Sequence, residues 1–62
     1  MKASVQMIFE RETKGAVRYQ EVDASGQPVE QTAALVGTLY IRKFRFAGDI
    51  PSKITVTVEA NV

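Results

Sequence analysis

The stretch Lys2-Ala-Ser-Val-Gln-Met-Ile-Phe-Glu10 alternates residue by residue. Ala3, Val5, Met7 and Phe9 fall on one side, and Ser4, Gln6, Ile8 and Glu10 on the other. A period of two is the mark of a strand with one buried face. Ile8 is the one apolar residue on the polar side. Beyond this strand, Arg11–Gly15 is polar and ends in a glycine, a residue that supplies the positive φ of many tight turns. Ala16–Val22 then resumes the alternation, with Val17 and Tyr19 opposed to Arg18 and Gln20, so the first two strands are predicted to form a hairpin.

Further along, Asp23–Pro28 is a cluster of turn formers, and Gly26 and Pro28 exclude a strand or helix interior. Residues 29–34 admit either a single helical turn opened by Pro28, through Glu30, Gln31 and Ala33, or a loop or nascent strand; the second is favoured, since no apolar face recurs long enough for a stable helix. Leu35–Phe44 is predicted as the longest strand, with Gly37 marking a bulge or a close approach. Residues 45–52 form a connection whose Phe46 and Ile50 fold back over the core as a lid. Lys53–Glu59 is a final strand with Ile54, Val56 and Val58 facing inward. The expectation is one mainly β domain over residues 1–62, a single four-stranded antiparallel sheet, meander-like in order.

Such a sheet has an apolar face: Val5, Met7, Phe9, Val17, Tyr19, Leu39, Ile41, Ile54, Val56 and Val58. That face has to pack against another layer, and the chain has no amphipathic helix to supply one. A 62-residue chain without Cys or His has neither disulfides nor the usual zinc ligands to offset its small core. Two covers remain. The sheet either curls into a small barrel or packs against a second copy as a homodimer, with Met7, Phe9, Leu39, Ile41 and Val56 as the candidate interface.

The same composition removes most chemistry. Cys–His and Ser–His nucleophilic arrangements are impossible, and Ser4, Ser25 and Ser52 read as turn or sheet residues. Glu10 and Glu12 read as a solvated strand end rather than an acid–base pair, and the glycines at 15, 26, 37 and 48 match no phosphate-binding spacing. No cofactor or metal site is expected, and no catalytic residue. The one constellation above background is basic and aromatic: Arg18, Tyr40 and Arg42 on the polar face, followed by Lys43 and Arg45 in the run I-R-K-F-R-F. Rings that stack bases beside cations that meet phosphates would suit single-stranded DNA or RNA. A net charge of only +1, with Glu10, Glu21 and Glu59 available to neutralise the stripe, argues for an ordinary solvated or partner-facing strand face. The leading expectation is therefore a non-enzymatic interaction module, with nucleic-acid binding as the alternative.

The segments F-E-R-E-T-K (9–14), V-R-Y-Q-E (17–21), G-T-L-Y-I-R-K (37–43) and I-T-V-T-V-E (54–59) resemble a group of very small bacterial proteins described as hypothetical. The resemblance implies a free-standing protein and assigns no site residues. It departs at residues 46–51, F-A-G-D-I-P, where that group often carries L-G-G with paired prolines. No apolar run in Met1–Glu12 suits a signal peptide and no segment is long enough for a membrane span, so the expected location is a bacterial cytoplasm.

Overall fold

The computed structural model describes residues 1–61. The chain forms β1 (Lys2–Glu12), β2 (Ala16–Val22), β3 (Thr38–Arg42), one turn of 3-10 helix (Lys43–Phe46) and β4 (Lys53–Glu59). All four strands lie in one antiparallel sheet of order β3-β2-β1-β4, strongly curled into a half-barrel. The first three strands run as a meander. The fourth crosses back to lie beside β1, which is the Greek-key order.

The hairpin between β1 and β2 contains a bulge. Phe9 pairs with Tyr19, but Arg11 pairs with Arg18, so Glu10 is the extra residue and β1 runs on to Glu12. Gly15 does not carry the turn through a positive φ; the glycines in that region are Gly26, Gly37 and Gly48. Thr13 does that work. Its backbone N–H donates to the Ala16 carbonyl at 2.8 Å, while its hydroxyl accepts the Ala16 N–H at 3.1 Å.

The segment predicted as one long strand is three things. Leu35–Gly37 lies outside the sheet, Thr38–Arg42 is β3, and Lys43–Phe46 winds into the 3-10 turn. That turn ends on Ala47 and Gly48, both left-handed at φ 52° and 91°. Residues 29–34 form neither helix nor strand. The preceding residue, Pro28, forms an isolated bridge with Val22, and the Val29 N–H donates to the Glu21 carbonyl of β2 at 3.1 Å.

The core lies on the concave face. Met7, Val17 and Tyr19 are fully enclosed, and Val36, Leu39, Ile41, Phe46, Ile50, Ile54 and Val56 pack around them. Phe46 and Ile50 form the expected lid. The Phe46 ring sits 6.3 Å from that of Tyr19, and the Tyr19 hydroxyl donates to the Pro51 carbonyl at 2.8 Å, tying the connection down over the core. Among the described residues no helix is long and apolar enough to cross a membrane.

Candidate functional site

Strand register brings part of the basic–aromatic set together on the convex face. Arg18 and Tyr40 are direct cross-strand partners. The Arg18 guanidinium lies 5.8 Å from the Tyr40 ring centroid, and its terminal N–H donates to the Tyr40 hydroxyl at 3.3 Å. Arg42 follows on the same face, opposite Ala16, and is exposed. Lys43 and Arg45 leave the sheet with the 3-10 turn, where the Arg45 guanidinium covers the exposed Phe44 ring at 5.9 Å.

Acidic residues interleave with these cations. The β1 bulge carries Glu10 to within 2.9 Å of the Arg18 Nε. The contact is misaligned with the Nε–H bond, so it is an ion pair and not a hydrogen bond. Glu12, past the bulge, reaches the Lys43 ammonium at 3.2 Å. Both carboxylates proposed above as a solvated strand end are thus partners of the basic residues. Screened pairs of this kind add little stability, but they cancel charge that a phosphate would otherwise meet.

Glu21 does not neutralise the convex stripe. It shares the inward parity of Val17 and Tyr19, lies opposite Met7 and is only 5% exposed. Its carboxylate accepts three consecutive backbone N–H groups: Val36 at 2.7 Å, Gly37 at 2.9 Å and Leu35 at 3.2 Å. In return the Glu21 N–H donates to the Gly37 carbonyl at 2.8 Å. The Gly37 and Val36 N–H groups hold the carboxyl below its ordinary pKa, against the opposing effect of burial. Gly37 takes φ 83°, a left-handed backbone conformation that favours glycine. An added Cβ at Gly37 would touch nothing within 4 Å, so the demand for glycine is conformational. The parity of residues 17, 19 and 21 could have placed Glu21 on the apolar face from sequence. The donors that make its burial tolerable could not have been read there.

The five candidate interface residues do share the concave face, unevenly covered. Met7 is enclosed within its own chain, out of reach of any partner in this conformation. Leu39, Ile41 and Val56 are half-buried, and Phe9 is 38% exposed at the rim, its ring edge-on to Tyr19. Val58 and Leu35 are exposed as well. A shallow cleft of about 480 Å³ opens where β1 outruns β2, lined by Val5, Gln6, Val22, Ala24, Val29 and Ala33 among others. Its lining includes Glu21 and Asp23, whose carboxylates are committed to backbone donors, those of Val36 and Gly37 for Glu21 and those of Ser25 and Gln27 for Asp23. Among the described residues no group of three or more acidic side chains comes together to hold a metal. No family model, curated protein or solved structure matches the chain.

Proposed function

We propose that the protein is a non-enzymatic interaction module that works as a homodimer. The observation that carries this reading is the unfinished closure of the sheet. One chain supplies half of a barrel wall, and its lid covers the end of the concave face around Tyr19. Val56 stays only half-buried, and Val58 and Phe9 remain at the rim. Among the described residues both outer strands, β3 and β4, end the sheet without a further strand beside them. Apolar rims and open edges of this kind are what protein contacts use. The enclosed core of three side chains is also small, so association would add stability that a chain without disulfides lacks. A cytoplasmic location belongs to the same proposal and rests on the Cys-free composition.

Nucleic-acid binding is the weaker reading. Tyr40 is 52% exposed beside Arg42, which suits stacking, but Glu10 and Glu12 occupy Arg18 and Lys43. Light scattering coupled to size exclusion, from micromolar to millimolar protein, tests the dimer. The expected species has twice the 6.8 kDa chain mass and a melting temperature that rises with concentration. A monomer with a concentration-independent melting temperature overturns the proposal.

A further inference from the structure

The direction of each β4 backbone group follows from the two ends of its ladder with β1. The Phe9 N–H donates to the Ser52 carbonyl at 2.9 Å, and the Ala60 N–H donates to the Met1 carbonyl at 2.8 Å. Both contacts continue the register Met7↔Ile54, Val5↔Val56, Ala3↔Val58. In an antiparallel ladder, alternate residues of a strand turn their N–H and C=O to opposite sides. Ile54, Val56 and Val58 therefore spend theirs on β1, and Lys53, Thr55, Thr57 and Glu59 present theirs outward. Among the described residues no strand pairs with that outer edge. The edge is seven residues long, regular in register, and charged only at its two ends. It lacks the bulge, the central lysine and the central proline that usually protect an edge.

The edge is also complementary to itself. Turned about a two-fold axis through Val56, it sets Lys53 against Glu59, Ile54 against Val58, Thr55 against Thr57 and Val56 against its own copy. Every outward N–H then meets an outward C=O, for about eight backbone hydrogen bonds, and both terminal charges meet their opposites. Pro51 has no N–H to offer, so the seam ends where the charges end. The five-residue β3 edge has no such match, because its two-fold register sets Arg42 against Thr38.

We propose that two copies join through β4, edge to edge and antiparallel, in the register Val56↔Val56, to form one continuous sheet. This deepens the homodimer reading and rests on it. Val56→Cys introduces a lone cysteine at a pair without mutual hydrogen bonds, whose expected Cα separation of about 4.5 Å suits a disulfide. Mild oxidation should give a covalent dimer from this variant and none from Tyr40→Cys on β3. Lys53→Glu should weaken association at least tenfold by opposing two acids twice, and K53E/E59K should restore it. These charges lie at exposed strand ends, so that pair stays informative if Val56→Cys fails to fold. A dimeric wild type that ignores Lys53→Glu and cross-links at Tyr40→Cys overturns the β4 seam and leaves the homodimer standing. A monomeric wild type overturns both.

Discussion

Replacing Glu21 by glutamine should make the protein less stable at neutral pH and remove a large part of its sensitivity to acid. One carboxylate oxygen accepts the Val36 and Gly37 N–H groups, and the other accepts that of Leu35. Hydrogen bonds to a charged group contribute about 1.5–3 kcal/mol each. Leu35 is exposed, so water can replace its bond, whereas Gly37 is buried and Val36 half-buried. Glutamine keeps one acceptor for those two donors but turns its own NH2 toward the Leu35 N–H. The expected cost is about 1–3 kcal/mol. Glu21→Ala leaves the donors with nothing and should cost about 3–5 kcal/mol. A domain of this size has about 3–9 kcal/mol in total, so the alanine variant approaches global unfolding.

The folded pKa of Glu21 lies below its ordinary value of 4.5, so the unfolded state binds the proton first. The contribution is complete above about pH 4.5 and is lost as pH falls through the folded value. Urea unfolding followed by circular dichroism between pH 2.5 and 7, at one protein concentration, measures both effects. The wild type should lose stability below that pH, and the glutamine variant should lose less. Equal urea midpoints at neutral pH, with parallel decline in acid, would refute the role assigned to this carboxylate. Asp23, whose pKa is lowered by Ser25 and Gln27, contributes the same sign of dependence in both proteins.

Tyr19→Phe keeps the packing of a fully enclosed ring and deletes its bond to the Pro51 carbonyl, so it should cost about 0.5–1.5 kcal/mol in urea unfolding and loosen the lid in hydrogen exchange. Ala47→Gly should raise the melting temperature, since φ 52° costs a side-chain-bearing residue about 1 kcal/mol that glycine does not incur; an unchanged or lower value would remove strain as the explanation. Labelled single-stranded oligonucleotides titrated at low salt should show no binding at tens of micromolar protein, because Glu10 and Glu12 occupy Arg18 and Lys43. Salt-sensitive binding that weakens in Tyr40→Ala would reverse that judgement.

Alternation along the chain specified which residues face the core, because a side chain's face depends only on its parity within its own strand. Val5, Met7, Val17, Tyr19, Leu39, Ile41, Ile54 and Val56 all reach or surround the core as their spacing implied, and Phe46 and Ile50 close over it. Parity says nothing about which strand lies beside which. The return of β4 to β1 depends on a connection anchored by the Tyr19–Pro51 bond, between residues far apart in sequence. Nor does it fix where a strand must stop. Leu35–Gly37 continues the pattern of β3, yet its donors are drawn to a carboxylate on another strand that burial leaves with no other partners. The convex stripe shows the same division. Its residue types were visible in the sequence, but a single bulge decided that Glu10 would meet Arg18, and only the folded ladder contains that bulge.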